Sequence, residues 1–232
     1  MTRVPKPALG SWPGVPPHEP PEIPPPWIPS PDEPRRPTTY PPVPMVYERV
    51  PSGADLASRL LDRRIVLVGG HLDERRATEA AARIMLLDGS GDEPIEFVVA
   101  CPDGDLLAAM ALADTVELAG VEVRARCTGS VGGPAILPFA VASHRSAQPH
   151  ATFVMSEPQF ELEGSASEIA SRSAQHADVL DTIHRRVAAA TGQPVELVAA
   201  DFAGRRWLTA DEAKAYGLID DVMQAAASAR RR

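Results

Sequence analysis

Three apolar segments, each ending in a tight turn and followed by a helix-forming stretch, constrain the fold of this chain more than any other feature. They occupy residues 64–70, 95–99 and 120–126. Asp73 and Asp105 stand where they could cap the helices that follow the first two segments. Consecutive strand–turn–helix units are typical of a wound α/β core. The sequence therefore predicts an α/β protein.

The third turn is rich in glycine and leads into an apolar helix. It runs from Cys127 to Ile136 and includes Gly129, Gly132 and Gly133. Many α/β hydrolases hold a nucleophile at such a junction, because the sharp turn raises one side chain above the sheet. Here the turn is present, but no nucleophilic side chain stands at its crest.

A long helix is predicted after these units. Residues 164–190 contain no proline, and their apolar residues recur at spacings of three and four. At 1.5 Å per residue such a helix is about 40 Å long, so we expect it to project from the domain and to pair with another subunit. After it, the sequence predicts a helix from Val195, a helix capped by Thr209 with Glu212, and a short strand at residues 218–220.

The N-terminal segment differs in composition from the rest of the chain. Residues 1–44 hold 17 of the 25 prolines. Because proline lacks an N–H and fixes φ, residues 1–43 are predicted to be a tail that is disordered or in the polyproline II conformation. The tail could be a solvated spacer or a ligand for an aromatic groove of the SH3 type. Residues 44–224 are predicted to form the folded domain, and residues 225–232 a basic end.

Charge and composition exclude several classes of function. The net charge of −8 argues against nucleic-acid binding. No apolar segment approaches the roughly 20 residues of a transmembrane helix, and no secretory signal is evident. Cys101 and Cys127 each end a predicted strand, so we expect free, buried thiols in a cytoplasmic protein. No residues have metal-ligand spacing, and the glycine pairs indicate turns, so neither a metal nor a cofactor is expected.

Several segments resemble the proteolytic subunit of the ATP-dependent Clp protease, the ClpP family. The resemblance covers about residues 43–223, and its most specific parts are Thr191-Gly192-Gln193-Pro194 and the run from Arg206 to Asp220. Residues 43–46, 58–70, 149–155 and 164–166 also match. The resemblance implies a ClpP/crotonase-like wound core with a projecting handle helix at residues 164–190. It also implies heptameric rings that stack through this helix and dock an unfoldase ATPase.

The family carries a serine, a histidine and an aspartate at three positions, and this chain departs from the pattern at each. Serine attack needs a base that removes its proton and a carboxylate that orients the base. Aligned on Gly129, the nucleophile position is Gly133; without a gap farther along it would be Val131. The histidine position is Ser156, and the aspartate position is Arg205.

The resemblance also implies two positions that form an oxyanion hole, and this chain differs from the family at both. One donor would be the backbone N–H of the residue after the nucleophile, here Pro134, which has no N–H. The other belongs to a turn in which Asp103 replaces a glycine. Losing one such donor costs about 10²–10³ in rate, and losing a triad costs on the order of 10⁶. The sequence predicts a non-catalytic subunit that is structural or regulatory in a Clp-type assembly. Its expected partners are copies of itself, active subunits and, as a further candidate, a Clp ATPase.

Two enzymatic hypotheses stay open beside this prediction. The chain could be a Clp-type serine endopeptidase with divergent catalytic residues, or a crotonase-like enzyme that acts on another acyl substrate. A substitute triad would use Ser130, the nearest hydroxyl, with one of the histidines at 144, 150, 176 and 184. We expect these histidines to be surface or packing residues, with His144 on a loop.

Overall fold

The computed structural model of the chain describes residues 53–158 and 163–224. The predicted tail at residues 1–43 and the predicted basic end at residues 225–232 lie outside these ranges. The boundaries of the predicted domain at residues 44–224 therefore stay predictions.

Helices and strands alternate along the described residues. In chain order they are α1 Gly53–Leu61, β1 Ile65–Gly69, α2 Glu74–Asp88, β2 Ile95–Ala100, α3 Leu106–Leu118, β3 Val123–Cys127, β4 Ser130–Gly132, α4 Ile136–Ala140, β5 His144–Ala147, β6 Thr152–Met155, α5 Ala166–Thr191, α6 Val195–Ala203, β7 Arg206–Thr209, α7 Ala210–Tyr216 and β8 Asp221–Val222. A single 3₁₀ turn, Gly133–Ala135, joins β4 to α4.

The strands form two sheets. The larger sheet is parallel and has the order β1-β2-β3-β5-β8. In the smaller sheet β4 pairs in parallel with β6, and β6 pairs antiparallel with β7. The predicted α/β fold of strand–turn–helix units is confirmed.

One face of the parallel sheet is buried in the core. Along β1, β2 and β3 every second side chain points to this face, as the two-residue period of a strand requires. The buried side chains are Val66, Val68, Ile95, Phe97, Val99, Val123, Ala125 and Cys127. Complete burial of one side chain of this kind contributes about 1.5–3 kcal/mol, so this face is a main source of stability.

The two predicted helix caps behave differently. The Asp73 carboxylate accepts a hydrogen bond from the backbone N–H of Arg76 at 2.8 Å, as predicted. Asp105 precedes α3, but its side chain makes no capping bond and lies 2.9 Å from Nε2 of His71 instead. The predicted capping role of Asp105 is therefore wrong, because a residue distant in sequence supplies a better partner.

The last strand lies later in the chain than predicted. Leu218 and Ile219 do not pair in a sheet, because their backbone N–H groups both donate to the carbonyl of Ala213 as α7 ends. Gly217 allows this ending, since its φ of 87° lies in the left-handed region. The strand pairing forms at β8, after Asp220.

The long helix α5 is buried at only one end. It has 26 residues, and its buried residues begin at Ile183. Residues 166–175 are all exposed. Near the buried end Arg186 pairs with Asp114 at 2.7 Å and with Glu117 at 2.8 Å, and this double ion pair fixes α5 to α3. None of the helices in the two described ranges is long and apolar enough to cross a membrane.

Candidate active site

The smaller sheet brings together two of the three positions that were aligned above with a catalytic triad. Gly133 directly follows β4, and Ser156 directly follows β6. The two strands are parallel, with Gly132 opposite Val154. Both positions therefore leave the sheet at the same end. Val131, the alternative to Gly133, is completely buried within β4.

The third position reaches the same end from the opposite direction. Arg205 immediately precedes β7, whose first residue, Arg206, pairs with Met155 in the antiparallel ladder. Continuing this register by one residue sets Arg205 opposite Ser156. Arg205 is exposed, and its φ of 52° is unusual for a residue with a side chain. The three sequence-predicted positions thus meet at one edge of the sheet.

The backbone at Gly133 keeps the sharp turn that the sequence predicts. Its φ is 53°, in the left-handed region, and α4 begins after a single turn of 3₁₀ helix. A Cβ atom added to Gly133 would lie 2.5 Å from Oδ1 of Asp103 and 3.5 Å from the carbonyl oxygen of Ser156. The side chain of residue 133 would therefore point at both of these residues.

Backbone contacts hold the Asp103 loop, residues 101–105, against the turn. The N–H of Gly132 donates to the carbonyl of Cys101 at 2.8 Å. On its other side the loop pairs with Leu72, whose N–H donates to the carbonyl of Asp103 at 3.0 Å and whose carbonyl accepts from Asp105 at 2.9 Å. The loop is therefore bonded on both sides, and its position relative to Gly133 is fixed.

The charges around the turn do not suit a developing oxyanion. Asp103 sets a carboxylate oxygen beside residue 133, and this oxygen accepts the N–H of Gly104 at 2.8 Å. Pro134, which follows Gly133, is buried and has no N–H to donate. An oxyanion is stabilised by donors aimed at it, whereas here a carboxylate and the carbonyl oxygen of Ser156 lie beside the position.

The histidines proposed for a substitute triad lie in different elements, and His150 stands two residues before Thr152, the strand partner of Ser130. Ser130 begins β4 of the smaller sheet, and His150 is exposed before β6. His144 lies in β5 of the larger sheet, not on a loop as predicted, and is 3.7 Å from Asp220. Because Ser130 and His144 belong to different sheets, the fold gives no support to this pair as a nucleophile and its base.

The two histidines on α5 lie in different surroundings. His176 is partly exposed on the side of a groove between α2, α3 and α5. His184 is buried, with its ring centroid 4.9 Å from that of Phe202, and burial lowers its pKa. Within the described part of the chain Nε2 of His184 has no hydrogen-bond partner. His184 is thus a packing residue, as predicted.

A network that the sequence did not reveal fixes the beginning of β7. Asp201 accepts hydrogen bonds from the Arg206 guanidinium at 3.0 Å and from the Tyr216 hydroxyl at 2.9 Å. The Arg206 guanidinium also lies 5.3 Å from the centre of the Tyr216 ring. Burial, together with the Asp201 carboxylate, raises the pKa of Tyr216. The network positions Arg206, and therefore Arg205 beside it.

The two cysteines are buried free thiols, as predicted. Burial raises the pKa of Cys101 to about 11 and that of Cys127 to about 12. Since the thiolate is the reactive form, we expect neither residue to react with a thiol reagent at pH 8 in the folded protein. Mass spectrometry after brief treatment with iodoacetamide should show no adduct before unfolding and two adducts after it. An adduct on the folded protein would contradict this prediction.

The described residues contain no group of three or more histidine, cysteine, aspartate or glutamate side chains arranged to hold a metal ion. A family model described as Clp protease matches residues 48–226, which is more than half of the chain. The match includes both sheets, α5 and the three strand ends that carry Gly133, Ser156 and Arg205. The chain belongs to the Clp protease family.

Proposed function

We propose that this member of the Clp protease family is a non-catalytic subunit with a structural or regulatory role in a Clp-type protease assembly. The observation that carries the proposal is the set of side chains at the three converging strand ends. Gly133 offers no nucleophile, the Ser156 hydroxyl cannot accept a proton near neutral pH, and the Arg205 cation would repel an imidazolium. The chain therefore lacks, at these positions, the nucleophile, the base and the orienting carboxylate that serine hydrolysis needs.

The electrostatics of the turn support the same proposal. In acyl transfer the transition state carries a negative charge that backbone donors stabilise. Beside Gly133 the chain has the Asp103 carboxylate, and after it Pro134, which cannot donate. The loss of one such donor reduces the rate by about 10²–10³. A nucleophile supplied from elsewhere would still face this disadvantage.

An assembly role is supported by the exposed half of α5. Most helical stability in proteins comes from packing, yet residues 166–175 are all exposed in the described structure. Subunits of this family generally form rings that work with Clp ATPases. We propose that this chain enters such rings, with copies of itself or with active subunits, and that stacked rings meet through α5. Docking of a Clp ATPase on these rings is part of the same proposal.

The proposal can be tested on the purified full-length chain, alone and co-expressed with active subunits of the same family. Native mass spectrometry should detect rings that contain this chain, and the chain alone should not cleave a fluorogenic peptide above background. Ala174→Arg places a bulky charge on the exposed half of α5. We expect this variant to keep its melting temperature but to lose the stacking of rings. Ala82→Arg, at an exposed position on α2, is the matched control for charge and size.

Two results would contradict the proposal. One is a chain that stays monomeric and joins no ring with any family subunit. The other is covalent labelling by a fluorophosphonate probe that disappears in Ser130→Ala or Ser156→Ala. The second result would favour the hypothesis of a serine endopeptidase or another acyl enzyme with divergent catalytic residues.

A further inference from the structure

We propose that the Asp103 carboxylate closes the candidate site from within, because it occupies the space that any side chain on residue 133 would need. The inference rests on the proposed function and deepens it: this chain lacks a nucleophile, and it also excludes one. Asp103 and Gly133 then form a pair: the Asp103 side chain can lie where it does because residue 133 has no side chain.

The steric part of the argument comes from one distance. A Cβ on residue 133 would lie 2.5 Å from Oδ1 of Asp103, far inside the separation at which such atoms attract each other. Oδ1 is the end of an exposed side chain, and the hydrogen bond from Gly104 holds it in this position. Oδ1 accepts the N–H of Gly104 at 2.8 Å, and the carbonyl of Asp103 accepts the N–H of Leu72 at 3.0 Å. The carboxylate can therefore leave only by giving up the hydrogen bond from Gly104.

The charge of Asp103 acts in the same direction as its volume. A negative charge at contact distance disfavours a second negative charge, so it raises the pKa of a thiol or hydroxyl at residue 133. It also opposes the oxyanion that would form when such a group attacks a carbonyl. Asp103 would thus hinder a nucleophile introduced at residue 133 in two ways: it occupies the space, and its charge repels the anionic form of the nucleophile.

Gly133 is the other half of the pair. Its φ of 53° disfavours residues with a side chain, whatever residue stands at position 103. This backbone cost is the same in both backgrounds of a double-mutant cycle and cancels from it. What remains in the cycle is the contact between the two side chains. A nucleophile at residue 133 should therefore become usable only when Asp103 is replaced as well.

The test introduces a thiol with Gly133→Cys in three backgrounds: the unchanged chain, Asp103→Gly and Asp103→Asn. The probe is iodoacetamide at pH 8. The thiolate sulfur forms a bond to the methylene carbon, iodide leaves, and the thiol proton passes to the buffer. Because Cys101 and Cys127 are buried, the introduced thiol dominates the rate. We expect alkylation to be at least about 10-fold faster with Asp103→Gly than in the unchanged chain, the ratio that a pKa difference of one unit gives for a thiol that is mostly protonated.

The Asp103→Asn background and a control site distinguish the steric effect of Asp103 from the effect of its charge. Asp103→Asn removes the charge but keeps the space filled, so alkylation should stay well below the rate with Asp103→Gly. Gly129→Cys is the matched control, since a Cβ on Gly129 would have no neighbour within 4 Å and this glycine also has a positive φ. Its alkylation rate should not depend on residue 103.

Equal alkylation rates for Gly133→Cys in all three backgrounds would overturn the inference. If Gly133→Cys folds with Asp103→Gly but not in the unchanged chain, that result supports it. If it folds in neither, the melting temperature of Gly133→Ala decides the matter. A decrease that is several degrees larger with Asp103 than with Asp103→Gly supports the inference, and equal decreases overturn it. Fluorophosphonate labelling of the unchanged chain would refute the proposed function without altering these comparisons, so the two failures can be distinguished.

Discussion

Gly132→Ala should destabilise the fold by about 3 kcal/mol or more, although it adds only one methyl group. The added Cβ would lie 2.3 Å from the carbonyl oxygen of Pro102 and 3.2 Å from Cβ of Val154. The first neighbour is backbone and cannot rotate away. Moving β4 aside would break the hydrogen bond from Gly132 to Cys101, which is 2.8 Å long. Urea unfolding of the variant and of the unchanged chain would measure the loss.

Gly129→Ala provides the contrasting control for this prediction. Gly129 has a φ of 97°, and its added Cβ would meet no atom within 4 Å, so only backbone strain of about 1–2 kcal/mol is expected. Gly132 has the reverse combination, with a φ of −152° that any residue can adopt. Equal losses of stability at the two positions would show that close approach of the backbones is not what requires glycine at residue 132.

Arg145→Met should cost about 2 kcal/mol at neutral pH, since it leaves a partly buried carboxylate without its cation. The Arg145 side chain is only 12% exposed and binds Asp220 through two nitrogens, at 2.8 Å and 3.3 Å. It also donates to the carbonyl of Ala190 at the end of α5, at 2.9 Å. Methionine preserves most of the volume, so the loss reports the polar contacts.

The cost of Arg145→Met should depend on pH in a defined direction. Burial alone would raise the pKa of Asp220, but hydrogen bonds and charge from Arg145 outweigh burial and lower it overall. A carboxyl group whose pKa is lower in the folded state contributes stability above its unfolded pKa and loses it as the pH falls through the folded value. The difference between variant and unchanged chain should therefore be full at pH 6–7 and shrink below about pH 4.

Urea unfolding at several pH values would measure this dependence. Arg75→Met is the control, because Arg75 and Glu79 form an exposed ion pair that contributes at most about 0.5 kcal/mol. A cost of Arg145→Met that stays constant between pH 7 and pH 3 would show that Asp220 is not the residue through which Arg145 acts.

The sequence predicts the fold well where the signal is local and repeated. The three apolar segments became β1, β2 and β3, and the capping box of Thr209 and Glu212 starts α7 as expected. The shorter strands escaped prediction for a physical reason. β4 has three residues, and β5 and β7 have four each, which is too few to show a two-residue period. These strands form because residues distant in the chain pair with them.

For the candidate site, the sequence offers positions to compare with the family but not their side-chain contacts. Counting from Gly129 selected Gly133, and the end of β6 selected Ser156, both from the resemblance to the family. The resemblance placed Asp103 near the oxyanion position, but no pattern in the sequence indicates that its carboxylate fills the space beside Gly133, because 30 residues separate them. The partners of Asp105 and Asp201 were missed as well, because side-chain contacts depend on packing that local propensities do not encode.

The double ion pair of Arg186 holds α5 near its C-terminal end, whereas the N-terminal half of the helix is exposed. The helix is held near one end by α3, and its first residue, Ala166, lies 20 residues before Arg186, or about 30 Å along the helix at 1.5 Å per residue. A sideways load on the outer turns therefore becomes a torque on α3. Asp114 and Glu117 lie in the second half of α3, whereas the loop that carries Asp103 precedes its first residue, Leu106, so a movement of α5 would reach that loop only through the length of α3.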